Sequence, residues 1–403
     1  MILTIQRLGH LGEGIAPGPV YAPTTLPGEV VEGEVVGGRM LAPKIVTPSQ
    51  IRVKPPCPHF KSCGACSLQH ASDEFVSEWK ADVVRKAVSA QGLSAEITGI
   101  HTSPPYSRRR ATLSARRSKK GAIVGFHARA SDTIIEIPNC HLLHPDLMAT
   151  LPVLAELTVA GGSRKGEIAY TITRSSAGID VLAIGGKPLD GPLRVALAGL
   201  VEQHALSRLT WEGEQVAERQ PPLQRFGAAH VLPPPGAFLQ ATAEGEAALL
   251  QAVQHAIGPA KHIADLFAGC GTFALPLSEK AEVHAVEGEA AMLAALDRGW
   301  RHAIGLKRIT TETRDLFRRP LLPDELKRFD AVVIDPPRAG AEAQITELAA
   351  STVNRIAAVS CNPVTFARDA RILVAAGFVL TGIEVVDQFR WSPHVELVAG
   401  FAR

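Results

Sequence analysis

Between Gly236 and Arg403 the chain moves regularly between two hydrophobic periods. HIADLF, EVHAVE, RITTETRD, AVVIDPP and IAAVSC read as short strands, and segments with apolar residues at helical spacing lie between most of them. One such helix is predicted from about Ala243 to Ile257, another after FALPLSEK. Strand and helix in strict alternation predict an α/β fold with a doubly wound, mainly parallel sheet. A ligand then belongs at the carboxyl edge of that sheet.

The pattern upstream is different. Residues 1–54 hold short apolar runs broken every eight to twelve positions by Gly and Pro, the signature of a small β-barrel, either a structural cap or an oligonucleotide-binding module. Residues 55–235 form a mixed unit. It opens with CPHFKSCGAC, continues with a helix predicted from about Leu68 to Gly92, and then shows antiparallel strands that end near Cys140. VLPPPG, at residues 231–236, resists helix and marks the boundary before the last unit, 236–403. A chain of 403 residues suits this three-part division.

Composition narrows the class. Nearly half the residues are apolar, one fifth are charged, and no apolar run approaches the roughly 20 residues that span a bilayer, so a soluble, cytoplasmic, monomeric protein is expected, with no membrane contact. The net charge of +2 says nothing about a polyanionic partner, but its distribution does. Ile97 to Ser131 contains no acid, yet holds Arg108, Arg109, Arg110, Arg116, Arg117, Lys119, Lys120 and Arg129, which predicts a local cationic surface. Six cysteines in a chain of this length do not suggest a disulfide framework. Cys57, Cys63 and Cys66, with five and then two residues between them, are close enough to share one metal centre with Cys140 as the fourth ligand. Zinc and an iron-sulfur cluster both accept four thiolates, and spacing does not separate them.

The last unit carries the chemistry. Its successive predicted strands end in Asp265, Glu287, Asp315, Asp335 and Cys361, five groups that an open parallel sheet could turn toward one ligand. Gly269 and Gly271, in DLFAGCGTFALPL, let a ligand approach the backbone between a strand and a helix, and an acid ending the next strand, Glu287, suits the two hydroxyls of a ribose. In DPPR the two prolines stiffen the backbone that presents Asp335. Cys361 opens SCNP at a strand end, where a thiolate could act as nucleophile. Glu396, on a late strand paired with FVLTGIEVV, is a candidate base, and His394 is its rival.

Taken together, these segments resemble the RNA uridine-5-methyltransferase family. LGHLGEGIA and LPGE are similar to its small RNA-binding TRAM barrel, CPHFKSCGAC with Cys140 to the [4Fe-4S] site of its ribosomal RNA branch, and AFLQAT, DLFAGCGTFALPL, IDPPRAG and SCNP occur in family order. The resemblance implies a Rossmann-like class I methyltransferase domain and S-adenosylmethionine held by Gln240, Phe267, Thr272, Glu287, Asp315 and Asp335. It also implies Cys361 as nucleophile, Glu396 as base, and a [4Fe-4S] cluster on Cys57, Cys63, Cys66 and Cys140. The implied substrate is a uridine turned out of a ribosomal RNA loop, with transfer RNA as the alternative. A non-catalytic RNA-binding protein would keep the barrel and basic strands and lack the crevice residues. Two positions depart from the family: Thr242 stands where Asn is common, and Arg390–Trp391 follow Phe389 in place of Pro-His.

Overall fold

Seven C-terminal strands and one from earlier in the chain build one eight-stranded sheet in a computed structural model that describes all residues, 1–403. Its order is Ile309–Thr313, Glu282–Glu287, His262–Leu266, Ala331–Ile334, Arg355–Ser360, Glu396–Ala402, Val379–Asp387 and Ile97–Thr102. The first five are parallel, and the order reverses beside His262–Leu266, which opens a crevice at their carboxyl ends. Glu396–Ala402 inserts antiparallel between Arg355–Ser360 and Val379–Asp387, so its first residue lies beside the last residues of a parallel strand. Side-chain alternation sends Ala264, Leu266, Val332 and Ile334 into one apolar layer and Ile263, Ala331 and Val333 into the other, with helices covering both.

The core of this unit reaches beyond 236–403. Helix Asp73–Ala90 contributes Ala81, Val84 and Val88 to one layer, Ile97–Thr102 pairs in parallel with Val379–Asp387, and the hairpin Gln224–Phe226/Ala229–Val231 contributes Phe226, Ala229 and Val231 to the other layer. The cut placed at residue 235 by the proline run therefore passes through a packed core, because proline stiffens a chain without dictating what its neighbours bury. The helix expected over 68–92 starts later, at Asp73, where the Ser72 hydroxyl accepts a hydrogen bond from the Phe75 N–H.

The first residues form two three-stranded antiparallel sheets, Ile2–Thr4/Val30–Glu32/Lys44–Thr47 and Arg7–Leu8/Gly14–Ala16/Val20–Ala22. Ile5, Val31 and Met40 close a small core between them, while Leu8 and Leu26 pack against Leu68, Val76 and Trp79 of the following segment. The middle of the chain is a seven-stranded sheet, Ile134–Glu136, Ala122–His127, Arg110–Arg117, Ile168–Ser175, Gly178–Ile184, Arg208–Trp211 and Glu214–Glu218, backed by helices Leu151–Gly161 and Gly191–Gln203.

Several arginines expected to make a cationic surface are engaged internally. Arg109 pairs with Glu246 and donates to the Gln240 carbonyl, Arg110 donates to the Gly236 carbonyl, and Arg116 pairs with Glu167. Arg129 donates to the Cys66 carbonyl above the Phe60 ring, and Arg108 lies over the ring of Phe389. The acids and carbonyls that accept them are remote in sequence, so an acid-free stretch looked freer than it is. Lys119 and Lys120 remain exposed.

Candidate active site

A cavity of about 550 Å³ opens at the carboxyl edge of the eight-stranded sheet. Gln240, Phe267, Thr272, Glu287, Asp335, Cys361 and Glu396 all line it. The Gly-rich turn begins under strain: Phe267 itself has φ of 62°, in the left-handed region where a bulky side chain is rare. Gly271 has a φ of 93°, which L side chains rarely adopt, and a Cβ there would also crowd Leu275 and Leu296 at 2.8 and 2.9 Å. Glu287 accepts hydrogen bonds from the Gly269 and Glu289 N–H groups, both 3.0 Å, which fixes its carboxylate while leaving lone pairs toward the cavity.

Cys361 leaves its strand in a turn that holds itself together. The Ser360 hydroxyl accepts from the Asn362 N–H at 3.1 Å, and the Asn362 side chain caps helix Pro363–Ala375 and donates to the Arg338 carbonyl at 3.0 Å. The motifs IDPPR and SCNP are thus joined by a hydrogen bond, and Arg338 comes to the cavity wall beside the thiol. Across the cavity, Gln388 bridges two groups: its Nε2 donates to Gln240 Oε1 at 2.5 Å and also to Glu396 Oε2. Gln388 therefore orients the Gln240 amide so that its N–H₂ is available to a ligand.

Two of the five strand-end groups do not converge. Asp315 is exposed, spends its carboxylate on the Phe317 and Arg318 N–H groups of its own turn, and stays outside the cavity lining. Its turn does bring Phe317 to within 5.4 Å of Phe267, ring centre to ring centre. Asp265 is fully buried, and burial together with the Asp335 charge raises its pKa well above the usual carboxylate range. His394 precedes the strand on which it was expected, in a loop where its Nδ1 lies 3.3 Å from an Arg338 guanidinium nitrogen. Arg338 and Phe389 line the cavity, and Gln388 stands behind it holding Gln240 and Glu396, all three without a task from sequence reasoning; DPPR named the first without giving it one.

Known proteins bear on this arrangement. A family model described as tRNA (Uracil-5-)-methyltransferase matches residues 234–401. An RNA methyltransferase of Brucella suis is 46% identical over 98% of this chain and 96% of its own. The 23S rRNA (uracil(1939)-C(5))-methyltransferase of Shewanella piezotolerans is 32% identical over 99% of this chain and 95% of its own. The chain belongs to the RNA (uracil-5-)-methyltransferase family. Its fold is similar, over 100% of this chain and 99% of the other, to the Pyrococcus abyssi tRNA (uracil-54, C5)-methyltransferase solved with S-adenosyl-L-homocysteine, at a TM-score of 0.79 and 22% identity.

In this family member the cavity is lined by more carboxyl groups than basic side chains. Glu287, Asp335 and Glu396 face it, against a single arginine. Burial pushes the Asp335 carboxyl to about 7 and, with Asp335 and Asp387 adding repulsion, the Glu396 carboxyl to about 8. Cys361 is raised by burial and by Glu396 and Asp335, and lowered by Arg338. His394 is shifted downward by burial and the nearby Arg338 charge.

The loop bearing Gln388 and Phe389 is fastened from outside the family's motifs. Lys80 and Asp387 form a fully buried ion pair at 2.5 Å, and Lys80 also donates to the Phe389 carbonyl. Arg390 and Trp391, the residues that depart from the family pattern, both donate to Asp73, and the Trp391 carbonyl accepts the Ser67 and Leu68 N–H groups. Thr242, the other departure, caps helix Ala243–Ile257, a task Asn performs equally well. Lys80→Ala leaves Asp387 unpaired in the core and is expected to cost about 3–5 kcal/mol in urea unfolding; a variant as stable as the parent would remove this fastening.

Cys57, Cys63, Cys66 and Cys140 are all buried, all free thiols, and line one small cavity. Burial raises Cys63, Cys66 and Cys140, Cys66 to about 12. Nowhere do three or more His, Cys, Asp or Glu side chains stand close enough to hold a single metal ion.

Proposed function

We propose that this protein methylates carbon 5 of a uridine in ribosomal RNA, using S-adenosylmethionine and a transient bond between Cys361 and carbon 6 of the base. The observation that carries the reading is the meeting of Cys361, Glu396, Arg338 and an acid-lined, partly aromatic cavity at one sheet edge. The 32% relative that acts on 23S rRNA supports ribosomal RNA over transfer RNA.

S-adenosylmethionine, when bound, supplies a methyl group made electrophilic by its sulfonium. Gln240, Phe267, Thr272, Glu287 and Asp335 are the residues that would hold it: Glu287 by the ribose hydroxyls, Phe267 against the adenine, and the acids by charge. Asp315 would act indirectly, through the turn that sets Phe317 against Phe267.

Carbon 5 of uracil is too weak a nucleophile to take that methyl group unaided. The Cys361 thiolate adds to carbon 6, and the displaced π electrons make an enolate whose carbon 5 would take the methyl group as its bond to the sulfonium breaks and S-adenosylhomocysteine leaves. Glu396 then takes the hydrogen left on carbon 5, and elimination restores the double bond and expels the thiolate. Arg338 favours the charged form of Cys361 and, lining the same cavity, would be available to the negative charge that develops on the base. The ring face must be open to the thiol, so the uridine leaves its stack to enter the cavity.

For the four cysteines we propose a [4Fe-4S] cluster. The four buried thiols that line one small pocket would be its ligands, one to each iron. Buried thiolates need such a positive centre. Its role is structural, since Cys66 is followed directly by the Ser67 and Leu68 amides that hold Trp391. Anaerobically purified protein is expected to be brown, with about four irons per chain, and Cys66→Ser to be colourless; stoichiometric zinc in a colourless wild type would contradict the cluster.

Nucleoside mass spectrometry of ribosomal RNA from cells with and without the protein tests the function. The expected difference is one or more 5-methyluridines, and identical RNA would refute it.

A further inference from the structure

A second groove adjoins the catalytic cavity and shares Cys361, Arg338, His394 and Val395 with it. It measures about 390 Å³ and runs between the first, small unit and helix Asp73–Ala90. Three properties of its wall are informative. No Asp or Glu lines it, while Arg7, His10, Lys86 and Arg338 do. Arg7, Lys86 and Arg338 are exposed and make no salt bridge, in contrast to the internally paired arginines of the central sheet. Between those cations the wall is apolar, formed by Leu8, Trp79, Val83 and Val364 among others.

We propose that this groove is the subsite for the nucleotide adjoining the target uridine on the same RNA strand, so that the first unit and helix Asp73–Ala90 together select the sequence around the modified base. The inference rests on the function proposed above and deepens it. Continuity at Cys361 supplies the register: a uracil whose carbon 6 meets the thiol has its neighbour within one phosphate of the groove. The unpaired cations suit the phosphates on either side of that nucleotide, and the apolar wall suits a base that has lost its stacking partner when the uridine turned out. The volume is in the range of sites that hold one small ligand.

The test uses the full-length holoprotein and an RNA stem-loop spanning the mapped uridine. That uridine is replaced by 5-fluorouridine, to be captured at Cys361, and 4-thiouridine is placed on one side of it or the other for photo-crosslinking. Crosslinks from one of the two neighbours are expected on peptides containing residues 7–11 or 79–87. Arg7→Ala/Lys86→Ala is expected to weaken equilibrium RNA binding about ten-fold and to lower the slope of log affinity against log salt by about 1.4, two phosphate contacts on a single strand. KM for RNA should rise by a similar factor with kcat at saturating RNA little changed, a split that general loss of structure would not give. Crosslinks from both neighbours falling outside the groove, or a double variant with wild-type salt dependence, would overturn the subsite. Failure of the wild type to make 5-methyluridine would instead overturn the parent reading, and RNA binding by the double variant would still decide the groove.

Discussion

Cys361→Ala is expected to lower turnover by on the order of 10⁴-fold or more while leaving S-adenosylmethionine and RNA binding near wild type. The thiol lines the cavity beside Glu396 and Arg338, half-buried at the end of an apolar strand, and no other cysteine is placed to replace it: Cys270, which also lines the cavity, is buried in the Gly-rich turn with its pKa pushed up to about 12. Without a sulfur to add at carbon 6 the pyrimidine has no enolate, and the methyl group has no acceptor. The turn around Cys361 is built from Ser360, Asn362 and the Arg338 carbonyl, none of which uses the thiol, so alanine should leave it intact. Steady-state methylation together with cofactor binding checks both halves of the expectation; turnover near wild type would remove Cys361 from the chemistry.

Glu396→Gln separates the two halves of the reaction. An amide retains an oxygen to accept the Gln388 N–H, so the loop and the Gln240 orientation should persist. Addition and methyl transfer still run, but nothing removes the hydrogen from carbon 5, and the methylated RNA stays bonded to Cys361. A denaturation-resistant protein–RNA complex is therefore expected to accumulate with natural RNA, in amounts the wild type never shows. The pH dependence has a definite sign. Burial raises both Glu396, to about 8, and Cys361, and each must be deprotonated to act, so the wild-type rate should climb from about pH 6 to above pH 8. A rate falling with pH over that interval would contradict a carboxylate base. So would free product released by the Gln variant at the wild-type rate.

Much of this site is written in short stretches of chain. DLFAGCG, IDPPR and SCNP each pair a strand end with a turn whose geometry is set within a few residues, and Phe267, Asp335 and Cys361 accordingly line the cavity. What sequence reading missed depends on distant partners. Arg109 belongs to a cationic run, but its partner Glu246 lies 137 residues away. Gln388 gains its task only because Gln240 and Glu396 come to either side of it. Asp315 sits at an edge strand, where a two-residue overrun lets its own turn claim the carboxylate. The same holds for the fold: the apolar stripe of helix Asp73–Ala90 was legible as a helix, but not that it packs beside a strand some 300 residues later, with Lys80 neutralising Asp387.

The departures from the family pattern gain a physical account from these contacts. Arg390 and Trp391 sit in a turn closed by the Ser392 N–H on the Phe389 carbonyl and send their side chains to Asp73, and the Trp391 carbonyl ties this loop to the segment just after Cys66. Loss of order around the four cysteines should therefore be felt at Phe389 and Glu396.

The central claim is a covalent bond between one sulfur and one carbon. The direct measurement is peptide mass spectrometry of holoprotein incubated with S-adenosylmethionine and 5-fluorouridine-substituted ribosomal RNA, then digested with nuclease and protease. The fluorine blocks the final proton removal, so the peptide containing Cys361 should carry one methylated fluorouridine nucleotide. A label on any other residue, or an unlabelled Cys361 peptide from protein that methylates natural RNA, would contradict it.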